Sequence, residues 1–261
     1  MLVTERRERI LALVRERGTL PLSELASTLG VSDMTVRRDI DLLAEDGEVQ
    51  KVRGGVRAIG AGRPVSGAAT ASRSELRAIA SAAADLVEPG MAIGISGGEA
   101  GLALAHELRG IADLTIVTNS LLVSDLFSPP SRSDAPYTQT VVLTGGVRTP
   151  SQSLVGPVAV RALEQLHCDL VFLDAHGLDV QAGLTTMNLL EAETYRAFMA
   201  MAREVIVLAE HSRWQVVGLT TIAELSDIDR LISDDALPAD AAGQLRDHVG
   251  RLDVVAAGHS G

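Results

Sequence analysis

Apolar residues recur at spacings of three and four in two N-terminal stretches, Ile10, Leu13, Val14 and then Leu22, Leu25, Ala26, Leu29. Each set predicts one buried stripe on a short helix. Gly18 is placed to end the first helix and Pro21 to open the second, where a missing N–H costs nothing. Gly30-Val31-Ser32 breaks the second helix and offers Ser32 as the cap of a third, whose inner face carries Val36, Ile40 and Leu43. Three short helices with a tight turn between the last two predict a helix-turn-helix within residues 1–57. With that inner face fixed, Met34, Arg38, Asp41 and Glu45 point outward, and Thr35 and Arg37 lie on the flanks. Residues 48–57 alternate around Gly54-Gly55, which predicts a two-stranded wing.

Residues 58–73 are small, Gly-rich and without period, and are expected to form an interdomain linker. Beyond them, apolar runs at 91–95, 114–117, 140–143, 170–173, 205–209 and 231–232 alternate with amphipathic stretches of helical length. Runs of that kind fit strands buried on both faces of a mostly parallel sheet. Residues 74–261 are therefore expected to form a larger, open α/β domain. Ligands of such sheets collect outside the carboxyl ends of the strands. There the chain places Ser96-Gly97-Gly98, Asn119-Ser120, Gly145-Gly146, Asp174-Ala175-His176-Gly177 and Glu210-His211-Ser212-Arg213. Five such clusters at equivalent strand ends predict one shared crevice.

Composition narrows the classes. Apolar residues make up 46% and charged residues 22% of the 261, which is globular and excludes disorder over most of the length. No apolar run reaches the roughly 18 residues of a membrane span. Charges also fill the N-terminal stretch where a secretory signal needs an apolar one, so a cytoplasmic protein without a membrane partner is expected. Cys168 is the only cysteine, which excludes an internal disulfide and a zinc ribbon; no metal or cofactor is expected.

The net charge of −11 is unevenly spread. Residues 1–60 hold ten basic and ten acidic side chains, which leaves 13 of the 23 basic and 24 of the 34 acidic residues for the rest. The predicted third helix carries Arg37 and Arg38 in its first turns and Asp41 and Glu45 in its last, opposing the helix dipole. Its leading end is expected to meet something negative, as the start of a recognition helix does in DNA. The expected DNA contacts are Ser32, Met34, Thr35, Arg37 and Arg38 on the helix, with Lys51, Arg53 and Arg57 on the wing along the phosphates.

The residues Leu22-Ser23-Glu24-Leu25-Ala26, Gly30-Val31-Ser32, Thr35-Val36-Arg37-Arg38-Asp39 and Lys51-Val52-Arg53-Gly54-Gly55 resemble the winged helix-turn-helix of DeoR-type bacterial transcriptional regulators. Thr118-Asn119-Ser120, Thr144-Gly145-Gly146, Leu154-Val155-Gly156-Pro157, Gly183-Leu184-Thr185-Thr186, Glu191-Ala192-Glu193, Leu208-Ala209-Glu210-His211-Ser212-Arg213 and Leu225-Ser226-Asp227-Ile228-Asp229 resemble the DeoR sensor domain, a relative of ribose-5-phosphate isomerase. The resemblance implies a regulator rather than an enzyme. It would act on double-stranded operator DNA as a homo-oligomer, dimer or tetramer, and repress a carbohydrate or small-metabolite catabolic operon. A small polar effector in the sensor domain would alter operator affinity.

The effector set expected from the crevice and the resemblance is Ser96, Gly97, Gly98, Asn119, Ser120, Gly145, Gly146, Asp174, His176, Thr185, Glu191, Glu193 and Arg213. The departures bear on its identity. Ser96-Gly97-Gly98-Glu99-Ala100-Gly101 replaces the family's Asp-x-Gly followed by hydroxyl residues, which hold phosphate at a helix N-terminus. Asp174-Ala175-His176-Gly177 replaces Gly-Ala-Asp-Gly, Arg213 replaces a Lys, and Pro21 stands where a Ser cap is common. The resemblance implies a sensor that binds a phosphorylated sugar or related metabolite. Here Glu99, Asp174, Glu191 and Glu193 bring acid to the crevice, so the expected effector is a small polar metabolite, unphosphorylated or carrying a cation, with a sugar phosphate as the alternative. Two alternatives remain at this level. One is an isomerase-like enzyme with Glu191 or Asp174 as base and Arg213 gripping substrate; the other is a DNA-binding protein whose sensor has lost its ligand.

Overall fold

The computed structural model describes residues 6, 7, 9–11, 13, 14, 19–45, 49–52, 55–58, 68–127 and 139–257. The chain divides into two compact units, residues 1–71 and 72–261.

In the first unit, helical residues between 6 and 14 (α1) precede β1 (Thr19–Pro21), α2 (Leu22–Leu29), α3 (Asp33–Glu45), β2 (Val49–Val52) and β3 (Gly55–Ala58). Ile10, Val14, Leu25, Val36, Ile40 and Leu43 close one apolar core, joined by Val49 and Val56 from the strands. Ser32 caps α3 as expected, its Oγ accepting the Thr35 N–H at 3.3 Å.

The wing differs from the two-stranded hairpin expected. β1 pairs antiparallel with β3, giving the order β1-β3-β2. Pro21 makes this possible because its φ of −64° and ψ of 146° suit both the end of a strand and the residue before a helix. Gly55 is the second requirement: a Cβ there would run into the Leu20 carbonyl, so only glycine admits β1 at this distance. Val52 pairs with Gly55 across the hairpin. Gly18, Arg53, Gly54 and residues 59–67 of the expected linker lie outside the described residues. Of the rest of that segment, Ala58 ends β3 and residues 68–73 are helical, since α4 (Ala68–Ala84) begins at Ala68. Three alanines among its first four residues, strong helix formers, account for the early start.

The second unit continues with β4 (Ala92–Ile95), α5 (Glu99–Glu107), β5 (Thr115–Thr118), α6 (Leu121–Leu126), β6 (Thr140–Leu143), β7 (Val147–Arg148), β8 (Leu154–Val155), α7 (Pro157–Leu163) and β9 (Cys168–Asp174). After these come β10 (Gly177–Asp179), β11 (Gly183–Thr186), α8 (Leu189–Ala200), β12 (Ala202–Leu208), β13 (Thr220–Ala223), β14 (Arg230–Asp234), α9 (Ala239–His248) and β15 (Leu252–Val255). A seven-stranded parallel sheet has the order β15-β14-β12-β9-β4-β5-β6.

The apolar runs at 91–95, 114–117, 140–143, 170–173, 205–209 and 231–232 all supply strands of this sheet, and period-two alternation sends successive side chains to opposite faces. Leu170, Phe172, Ile206 and Leu208 pack with Ile79 of α4 and Leu104 of α5. Val171, Leu173, Val205 and Val207 pack with Phe198 of α8 and Leu245 of α9. Helices thus cover both faces, and the sheet is doubly wound.

Strand order reverses between β4 and β9. From β4 the chain moves outward through β5 and β6, then returns to β9 on the other side and proceeds to β15. Loops leaving β4 and β9 diverge at such a switch point and leave a crevice.

Candidate functional site

The third helix presents two different faces. Val36, Ile40 and Leu43 are buried, while Met34, Arg37 and Arg38 are exposed near its leading end. Thr35 is half-buried, its hydroxyl 2.9 Å from Ser32 Oγ. The acid of the Arg37-Arg38-Asp39 run turns inward. Asp39 is buried against α1, with its carboxylate accepting from Arg6 Nε at 2.6 Å and Arg7 Nε at 3.4 Å. The two helices are clamped by charge behind a surface that carries two guanidinium groups. On the wing, Lys51 pairs with Val56 and Arg57 with Gln50 in the backbone register. The side chains of Lys51, Arg57, Asp41 and Glu45, and the whole of Arg53, lie outside what the structure describes.

At the switch point of the second unit, a cavity of about 180 Å³ is lined by Gly97, Gly98, Ser151, Ser153, Asp174, Ala175, His176, Thr186, Met187, Glu191, Tyr195 and Arg213. Six residues expected in the crevice therefore meet there: Gly97, Gly98, Asp174, His176, Glu191 and Arg213.

The remaining expected residues stand behind or away from the wall. Ser96 Oγ accepts the Asp174 N–H at 2.9 Å. Asn119 Oδ1 accepts the Gly97 N–H at 2.8 Å, and its Nδ2 donates to the Leu154 carbonyl at 3.0 Å. Ser120 caps α6 by accepting the Val123 N–H. Thr185 donates to the Gly177 carbonyl and accepts the Gly218 N–H, tying β11 to β10 and to the segment that leads into β13. Gly145, Gly146, Glu99 and Glu193 are not in the lining, and both glutamates are exposed.

Ser151, Ser153, Thr186, Met187 and Tyr195 enter the lining without having been expected. For two of these the pattern held a signal. Tyr195 is one helical turn beyond Glu191, on the same face of α8. Thr186 follows Thr185 in a strand and so points to the opposite side.

Asp174 dominates the electrostatics. Its Oδ2 accepts the Ala100 N–H at 3.4 Å, and the Glu99 N–H is also turned toward it. The side-chain carboxylate thus occupies the N-terminus of α5, the position at which a helix otherwise receives a bound anion. Burial pushes the Asp174 carboxyl up to about 7, against the opposing pull of Arg213 and the α5 N–H groups. Tyr195 donates its hydroxyl to the Gly97 carbonyl at 2.7 Å, and burial first, then the nearby Asp174, raise its phenol far above its ordinary value. It is a fixed neutral donor. Glu191 Oε2 accepts the Thr186 hydroxyl at 2.9 Å. The wall combines carboxylates, hydroxyls, one imidazole and one guanidinium, a set suited to a small molecule rich in hydrogen-bonding groups.

Residues 6–61 match the DeoR-like helix-turn-helix domain, and residues 72–235 match the DeoR C terminal sensor domain. The chain is 33% identical to the HTH-type transcriptional regulator YgbI of Escherichia coli (strain K12), over 94% of this chain and 95% of that protein. It is 32% identical to the HTH-type transcriptional regulator GolR of Listeria innocua, over 89% and 91% respectively. Ribose 5-phosphate isomerase A from Methanocaldococcus jannaschii superposes with a TM-score of 0.36 at 17% identity, covering 53% of each chain. Among the described residues, no helix is long and apolar enough to cross a membrane. With the helix-turn-helix and the sensor domain both matched and relatives aligned along nearly the full length, the chain belongs to the DeoR family: it is a DNA-binding transcriptional regulator with a sensor domain, not an enzyme.

Proposed function

We propose that this regulator is a repressor, that it binds its operator as a homo-oligomer in the cytoplasm and that a small, unphosphorylated polar metabolite in the switch-point cavity sets its operator affinity. The leading turns of α3 enter the major groove, where Arg37 and Arg38 reach base edges and Ser32, Met34 and Thr35 line the approach. Lys51, Arg53 and Arg57 of the wing follow the phosphate backbone. One helix-turn-helix reads too few base pairs for genomic specificity, which supports a dimer or tetramer. The regulated genes belong to the catabolism of a carbohydrate or similar small metabolite.

The observation that carries the effector reading is the Asp174 carboxylate seated on the N–H groups of α5. A phosphate arriving there meets a resident carboxylate in place of open donors. Asp174 and Glu191 favour hydroxyl or ammonium groups, and Arg213 and Tyr195 complete the wall.

Fluorescence anisotropy with the duplex upstream of the protein's own coding region tests both halves. The full chain is expected to bind at low ionic strength and to be released by a neutral or amino polyol, with the matching phosphate ester at least tenfold weaker. Failure to bind the duplex rejects the DNA half. Release by phosphate esters alone, or by no member of such a panel, rejects the effector half.

A further inference from the structure

The geometry points to a divalent transition-metal site formed by Glu75, His211 and Asp234, apart from the switch-point cavity. The three residues come from α4, the turn after β12 and the end of β14, and their donor atoms all lie within 4.8 Å of one another. None of the three lines the cavity. His211 Nδ1 is 2.8 Å from Asp234 Oδ1 and 3.8 Å from Glu75 Oε2. Bonds of about 2.0–2.2 Å to one ion place its donor atoms about 3–4 Å apart, so small side-chain movements suffice to close the site.

Charge and burial agree with this geometry. The Glu75 and Asp234 side chains are 8% and 0% exposed, whereas that of His211 is 34% exposed. Two carboxylates and a neutral imidazole sum to the charge that a divalent cation neutralises, and the imidazole leaves a route from solvent. One nitrogen and two oxygen donors suit Zn²⁺, a borderline ion, and the two carboxylates also suit the harder Mn²⁺.

Asp234 is also oriented in advance. Its Oδ2 accepts the His211 N–H at 2.7 Å and its Oδ1 accepts the Ala236 N–H at 3.1 Å, which fixes the edge presented to the imidazole. On binding, the imidazole takes its Nε2–H tautomer, which leaves the His211 Nδ1 lone pair and Asp234 Oδ1 to face the metal in place of each other. The cation then joins α4 to the ends of two sheet strands, and a site of this kind makes the sensor unit responsive to metal as well as to its effector.

The test uses the chelator-stripped full chain, titrated calorimetrically with ZnCl₂ and MnCl₂, and with CoCl₂ as a spectroscopic probe. One equivalent of Zn²⁺ or Mn²⁺ per chain is expected, with visible Co²⁺ absorption and a raised Tm. His211→Gln and Glu75→Gln, each verified as folded by circular dichroism, are expected to weaken uptake about tenfold or more and to abolish the Tm rise. His176→Gln, in the cavity wall, is expected to leave uptake unchanged. Absence of stoichiometric uptake by the unmodified chain overturns the proposal without reference to any variant. So does uptake that survives His211→Gln or Glu75→Gln, or that is lost with His176→Gln.

Discussion

Gly98 and Asp174 compete for one volume: a side chain on Gly98 would stand where the Asp174 carboxylate sits. The backbone at Gly98 has φ of 141°, a conformation that L residues rarely adopt, so the loop after β4 is shaped around the acid. Gly98→Ala is expected to drive the carboxylate off the N-terminus of α5 and into the cavity. Operator binding by the first unit persists, and release by the effector weakens at least tenfold. Anisotropy titrations with and without effector measure both; release at the unmodified effector concentration would show that this seat is irrelevant to binding.

The raised Asp174 carboxyl sets a pH dependence whose sign follows from its value of about 7 against 3.8 in the unfolded chain. Between those values the folded chain keeps a proton that the unfolded chain has released. The contribution of Asp174 to stability is therefore greatest in acid, declines as pH rises from about 4 to about 7, and is level above. Asp174→Asn is expected to flatten the Tm profile across that window.

The same titration discriminates between effectors. A cationic ligand binds the ionised acid, so its affinity rises by up to about tenfold per pH unit toward pH 7 and then levels. A phosphate ester is disfavoured by the same ionisation and shows the opposite slope. Calorimetry of an identified effector at several pH values from 6 to 8 reads the sign directly.

Periodicity along the chain carried the framework, and distance in sequence hid much of the site. Val36, Ile40 and Leu43 are spaced for one helix face, and Leu170 with Phe172 against Val171 with Leu173 for two sheet faces, because local geometry alone decides them. The strands of the small sheet, Gly177–Asp179 and Gly183–Thr186 with Thr220–Ala223, have no long apolar run and were not legible. Strand ends located Asp174, His176 and Arg213, yet Ser96 and Asn119 share the same positions and turn their polar groups into the loops instead. Whether a polar residue at a strand end faces the crevice or braces it depends on its contacts with other loops. Ser151 and Ser153 show the converse, since they reach the cavity from the β7–β8 hairpin with no local signal.

The Arg6–Asp39 pair makes a prediction that separates scaffold from recognition. Asp39 lies 33 residues from Arg6, is buried, and is the point at which α1 holds α3. Asp39→Ala leaves every exposed residue of α3 in place but removes the clamp. A lower melting temperature for the first unit is expected, with operator and unrelated duplexes weakened alike, as read by circular dichroism and anisotropy on the full chain. Selective loss of the operator alone would place Asp39 in the recognition surface.

Arg38 is expected to behave in the opposite way. It is exposed on the outward face of α3, and its neighbours Val36 and Ile40 hold the helix from behind, so its removal costs the fold little. If its guanidinium reads a guanine edge, Arg38→Ala weakens the operator complex by about 1–3 kcal/mol and leaves non-specific affinity nearly unchanged. Lys51→Ala is the matched control on the wing. It weakens all duplexes alike and reduces the magnitude of the slope of log affinity against log salt by about 1. Titrations of operator and scrambled duplexes at several salt concentrations yield both numbers. Equal losses on the two duplexes for Arg38→Ala would assign that side chain to the phosphates and move base reading elsewhere on α3.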